Sequence, residues 1–244
     1  QAQDRTGIFG PYPEEGRLVG FWYHSQGRRT SLLSQPELLD LRSKVDALEG
    51  VAGLVYRRLH LGTGEEPRLV RAIAATPELL PLLGITPAAG RVFAAAEALP
   101  GGPDVVVISD SLRRQLFPAG EAVGAAVTLA GKPHEVIGVM PPGFAFPAPD
   151  VDAYMPFRMN AASPDLRNNH YLLAVGRLKP GVSVETARAE VAAYGRWAVA
   201  QYPEFYSGFN ASLELTTLRD TFVEPARAPL LLVLGAVSLV LLIA

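Results

Sequence analysis

The amino-acid sequence predicts an α+β protein. Two βαβ half-units form a base subdomain, a mostly-β inserted subdomain interrupts them, and a transmembrane helix follows. Three observations lead there. Residues 18–61 and 170–217 each run strand, amphipathic helix, strand. The stretch between them, 63–167, breaks into short apolar runs punctuated by glycine and proline, a texture of strands and turns. The last seventeen residues, 228–244, carry no charge and a single hydroxyl, Ser238.

The elements follow in chain order. Residues 1–17 are polar, rich in turn formers and without periodicity, and form an irregular lead-in. Leu18 to His24 is apolar and aromatic and reads as a strand. Ser34 with Glu37 three residues later is a capping box, and Pro36 suits the first turn. Leu38, Leu41, Val45 and Leu48 recur at helical spacing, so the pattern predicts a helix over 35–49 closed by Gly50. Val51 to Leu61 is the next strand. In the insertion, 68–74 and Val105 to Ile108 read as strands and 76–83 as a helical turn. Ser109 or Asp110 caps a short helix through Phe117. The runs 125–129 and 135–139 flank Ala130–His134, which suggests a hairpin with a glycine turn. Met140 to Pro147 holds three prolines, so it is an ordered loop with inward phenylalanines. The second half-unit has a strand over 170–178, a turn at Lys179–Gly181, a Ser183-capped helix to about Tyr202, and a strand over 211–217.

Composition narrows the function. With 22 basic and 24 acidic residues the net charge is −2, and no basic stripe suggests nucleic acid. The absence of cysteine excludes disulfides, thiolate metal sites and cysteine nucleophiles. None of His24, His60, His134 and His170 has a second histidine or an acid at ligand spacing, so no metal or other cofactor is expected. No phosphate loop is present. Ser109 follows a strand and opens a helix, but it lacks the flanking glycines of a nucleophile elbow, and N-capping explains it better. No catalytic residue is therefore assigned. The leucines at 79, 80, 82 and 83 read as core.

The apolar run 228–244 would extend roughly 25 Å as a helix, close to the hydrocarbon thickness of a bilayer. It lacks the polar face of a surface helix. Only about ten residues separate it from the last strand. Arg219, Arg227, Leu230 and Leu234 lie along this junction and are expected to couple the membrane to the domain.

Four strings add a resemblance: 71–93, Val105 to Asp110, Val136 to Phe144 and Gly176 to Val182. In that order, ahead of an apolar helix, they resemble the MacB-like periplasmic core domain of bacterial ABC-transporter permeases, within the wider MacB/FtsX-like family. The Asn168–Tyr171 lead-in and the Leu-Leu-Ile-Ala ending look closest to the duplicated, ATPase-unfused permeases common in acidobacteria. The resemblance implies a globular part in the periplasm, held at the inner membrane. It implies a base subdomain from 18–62 and 168–220 and an inserted subdomain from 63–167. It also implies a cytoplasmic ATPase subunit and a second permease copy as partners, leaves room for a periplasmic adaptor, and makes the domain a non-catalytic transmitter of helix motion. Two other readings stay open at this point. A membrane-tethered hydrolase would need Ser109, Asp110 and His134 to meet. A ligand-binding or sensory module would need an enclosed apolar pocket around Phe144 and Phe146.

Overall fold

The computed structural model describes residues 12–62, 68–159, 167–206 and 211–220. Strand β1 (Leu18–Ser25) turns through the short strands β2 (Arg28–Thr30) and β3 (Leu32–Leu33) into helix α1 (Gln35–Lys44). The Ser34 hydroxyl accepts from the Glu37 amide, and the Glu37 carboxylate answers the Ser34 amide, so the predicted capping box is formed. The helix is shorter than its apolar spacing predicts. Val45 already has an extended backbone, and strand β4 (Leu48–Leu61) starts before Gly50. Val45 and Leu48 are buried as predicted, but as a turn and a strand, because pairing of Leu48 and Gly50 with a neighbouring strand outweighs another turn of helix.

The middle of the chain gives β5 (Arg68–Ala75), α2 (Leu79–Leu82), β6 (Ala89–Gly90), β7 (Val105–Ile108), α3 (Asp110–Leu116), β8 (Ala126–Leu129), β9 (Lys132–Val139) and β10 (Ala153–Pro156). Ala130 and Gly131 both have positive φ, the conformation that a two-residue hairpin turn between β8 and β9 requires. Leu79, Leu80, Leu82 and Leu83 are core, as expected. The second half-unit gives β11 (Leu172–Leu178), α4 (Val184–Gln201), α5 (Pro203–Tyr206) and β12 (Ser212–Thr217). Pro203 ends α4 and begins the one-turn α5.

All twelve strands among the described residues join one mixed sheet, ordered β12-β1-β11-β4-β5-β10-β7-β9-β6 along its main path. In β12-β1-β11-β4 every neighbouring pair is antiparallel. The two βαβ units are therefore interleaved: β1 and β4 run parallel with β11 between them, and β11 and β12 run parallel with β1 between them. Helices α1 and α4 cover one face, burying Leu38, Leu41, Ala187 and Val191 against Val19 and Phe21. The other face is packed by α2 and the loop after β9, through Leu79, Leu83 and Phe146, against sheet residues such as Ile73 and Tyr154. Farther along the sheet, α3 sits over Val70, Val106 and Ile108.

Strand direction sorts the ends of this sheet. The starts of β1 and β4 and the ends of β11 and β12 lie together, so the chain enters and leaves the described fold at one end. The opposite end holds the end of β1, the start of β11, and the outgoing half of β4. That strand is 14 residues long, roughly 46 Å at about 3.3 Å per residue. Its first half pairs with β11 up to Leu54, and from Leu54 onward it pairs with β5.

Candidate functional site

Strand β12 passes directly into helix. Residues 218–220 are helical, and Thr217 caps them: its Oγ1 accepts the Asp220 amide at 3.1 Å and donates to the Asp220 carboxylate at 2.7 Å. No irregular residue separates strand from helix. Arg219 sits on this first turn and is exposed. Arg227, Leu230, Leu234 and the apolar run 228–244 lie outside the described residues. Among the described residues, no helix is long and apolar enough to cross a membrane.

Behind the junction β12 is held on two sides. Its whole length pairs with β1, from Ser212 opposite His24 to Thr217 opposite Val19. Helix α4 lies against it so closely that a Cβ on Gly195 would stand 3.2 Å from the Leu213 amide nitrogen. Arg188 on α4 donates from Nε to the Leu215 carbonyl at 3.1 Å, covering an open backbone acceptor of this edge strand.

At the far end of the base a buried polar seam ties the helices to the segment leading into β11. Glu37 is 3% exposed. Its carboxylate accepts from the Ser34 amide at 2.8 Å, the Ser34 hydroxyl at 2.9 Å and the Tyr206 hydroxyl at 2.8 Å. His170 Nε2 lies 3.1 Å from the same group, and its ring stacks on Tyr23 at 4.2 Å. Burial alone would raise the Glu37 carboxyl. The hydrogen bonds from His170, Ser34 and Tyr206 outweigh it and hold the group below the usual carboxylate range. One helical turn on, Asp40 takes Arg167 Nη2 at 2.9 Å and the Tyr194 hydroxyl at 3.2 Å, and Arg167 lies 3.9 Å over the Tyr202 ring. Burial, with the Glu37 charge behind it, pushes the Tyr206 hydroxyl up, so it stays a donor. The lead-in motif Asn168–Tyr171 thus contributes His170 to a seam that spacing along the chain cannot show.

The constellation required for hydrolysis is not assembled. Ser109 caps α3, with its Oγ accepting from the Leu112 amide at 3.1 Å. Asp110 pairs with Arg114 at 2.8 Å. His134 lies on β9 beside the start of β7, where the next residue, Glu135, donates its amide to the Asp104 carbonyl. Ser109 follows the other end of β7, roughly 16 Å away at about 3.3 Å per residue. The enclosed pocket expected around the phenylalanines is filled at Phe146, while Phe144 borders an open cleft. Phe146 is fully buried and meets the Tyr12 ring edge-on at 6.0 Å. Among the described residues no three acids or histidines gather around a metal-sized space, although His24 does reach Glu214 at 2.8 Å across β1 and β12. An open cleft of about 850 Å³ lies near Ser109, between the start of β5, the start of α3 and the loops 141–145 and 149–152.

The model of the MacB-like periplasmic core domain family matches residues 2–194. Among solved structures, the extracellular domain of the noncanonic ABC-type transporter YknZ from Gram-positive bacteria is similar, with 17% identity and a TM-score of 0.60 over 82% of this chain and 99% of that one. The periplasmic region of MacB from Actinobacillus actinomycetemcomitans is similar with 14% identity and a TM-score of 0.62, over 86% and 92% of the two chains. At these identities the likeness is one of fold. No curated protein matches the chain.

Proposed function

Because this chain belongs to the MacB-like periplasmic core domain family, we propose that it is the extracytoplasmic part of an ABC-transporter permease subunit and that it works mechanically, without catalysis. It carries the motion of a membrane helix into the periplasm. The helix is the apolar run 228–244, at the bacterial inner membrane. The partners are a cytoplasmic ATPase subunit, which drives the helix, and a second permease copy, with a periplasmic adaptor as a further contact. Residues 18–62 and 168–220 form the base that receives the motion, and 63–167 form the inserted subdomain that delivers it.

The observation that carries this reading is the junction at Thr217. A mere tether tolerates slack, whereas here strand becomes helix at a capped residue and the strand is clamped by β1 and α4. Stiff elements with few soft dihedrals are what displacement needs if it is to pass from one place to another. The test is a flexible Gly/Ser insertion between Arg219 and Arg227 in the full-length permease, reconstituted with its ATPase. The domain should melt at its normal temperature and ATP should still turn over, while transport coupled to it is lost. Unchanged transport would sink the proposal.

A further inference from the structure

The cleft beside β5 occupies the lane of a missing strand. Strand β10 pairs with β5 only from Ala153 opposite Ala72 onward, whereas β5 begins four residues earlier, at Arg68. On the other side of β10, β7 ends at Ile108 and gives way to Ser109 and α3. Below Ala153 the row between β5 and α3 therefore has no strand in it among the described residues. Pro147 and Pro149, which have no N–H to give to a ladder, lie in the stretch of chain that would have continued it.

Hydrogen-bond alternation shows which groups of β5 face that lane. The Asp152 amide donates to the Arg71 carbonyl at 2.7 Å, and the Arg71 amide donates to the Asp152 carboxylate at 3.0 Å. Arg71 thus turns both backbone groups toward β10. In an antiparallel pair the direction alternates residue by residue, so Val70 faces β4 and Leu69 faces the lane. The partner strand agrees. Leu69 stands opposite His60, and the His60 carbonyl accepts from Ala130, on the side away from β5. The Leu69 N–H and C=O therefore open into the cleft, and the residue is 52% exposed. Its side chain shares one sheet face with the Phe144 side of the cleft. Arg68 belongs to the opposite face, where it donates to Gln115 on α3, and where α3 carries the exposed Arg114, paired with Asp110.

We infer that this lane binds an extended segment of a partner protein by strand addition, the segment pairing its backbone with Leu69, placing an apolar side chain against Leu69 and Phe144 and an acidic one toward Arg68 and Arg114, where it competes with Gln115 and Asp110 for the two guanidinium groups. Main-chain pairing gives such a site its affinity, and the alternating pockets give it selectivity. The volume suits a few residues of extended chain.

The experiment uses the full chain and a short fluorescein-labelled peptide of alternating valine and glutamate. Three controls accompany it: the same peptide with its central valine amide methylated, a valine–lysine counterpart, and amide hydrogen exchange read at Leu69 and Val70. Without peptide, Leu69 should exchange much faster than Val70. With peptide, its exchange should slow by about tenfold or more. The methylated and lysine peptides should each bind about tenfold or more weakly. Leu69→Pro, which removes the N–H facing the lane together with the leucine side chain, should abolish binding without changing the melting temperature, and Leu69→Ala, which keeps the N–H, should retain part of it. If the proline variant misfolds, the exchange and methylation results still decide. A Leu69 amide as protected as Val70 before peptide is added, binding indifferent to methylation, equal binding of the lysine peptide, or no binding of the acidic one would each overturn the assignment.

Discussion

Glu37 shows how one residue joins distant parts of the chain. Its capping of Ser34 is local and legible as a spacing. Its bonds to His170 and Tyr206 reach across 133 and 169 residues, and no local pattern announces them. Nor does one announce the Arg167–Asp40 pair, 127 residues apart. The carboxylate is buried and held below the usual carboxylate range by its donors. A depressed carboxyl contributes stability that is present above its unfolded pKa, about 4.3, and is lost as pH falls through the folded value. Glu37→Gln keeps the shape but gives up the charge, so it should destabilise the fold by about 1–3 kcal/mol near neutrality. The gap between wild type and variant should then shrink as pH falls below about 4. Urea titrations of both proteins across that window measure it, and a gap that stays constant with pH would remove Glu37 as its source. Arg177 makes a similar bridge. It is buried on β11 and donates to the carbonyls of Leu82 at 2.7 Å and Pro13 at 3.1 Å. Arg177→Leu should cost about 1–3 kcal/mol, because it strands both carbonyls.

Among the elements, α4 is the most legible and α1 the least completely so. Of the predicted α4 stripe Val184, Ala187, Val191, Tyr194 and Ala198, the last four are buried and Val184, on the first turn, is half-buried, because the helix is long enough for periodicity to dominate. In α1 the same spacing runs on through Val45 and Leu48 into chain that pairs as strand. An apolar residue facing the same core satisfies either geometry, so the pattern alone cannot place the boundary. Gly195 carries no signal in the sequence, since a glycine inside a helix is usually only a weakness. Here it sets the distance between α4 and β12. Gly195→Leu should push the helix away from Leu213 and cost about 1–3 kcal/mol through overpacking. In the reconstituted permease it should also weaken coupling more than an equally destabilising substitution in α3, which lies far from the junction. Equal losses from the two variants would mean that the α4–β12 contact serves stability alone.

At the scale of the molecule the sequence shows two half-units and an interruption, but it does not show that one sheet runs through all three. Strand order is set by pairings between segments far apart, and local pattern is silent about those. The long β4 is the member common to both parts, paired first with β11 and then with β5. If the sheet moves as one body, locking β4 to β5 should change nothing in transport. Arg58 and Arg71 stand opposite each other in that pair, at a position whose backbone groups turn outward, where Cα atoms approach to about 4.5 Å. That is a separation a disulfide can span, and the chain has no cysteine of its own to compete. Arg58→Cys with Arg71→Cys should oxidise readily and stabilise the fold by about 3 kcal/mol, as closure of a loop of that length does. It should also leave ATP-driven transport the same before and after reduction. Loss of transport on oxidation, restored by reductant, would show instead that β4 and β5 slide against each other in the working cycle. The stiff path from Thr217 would then end at the base.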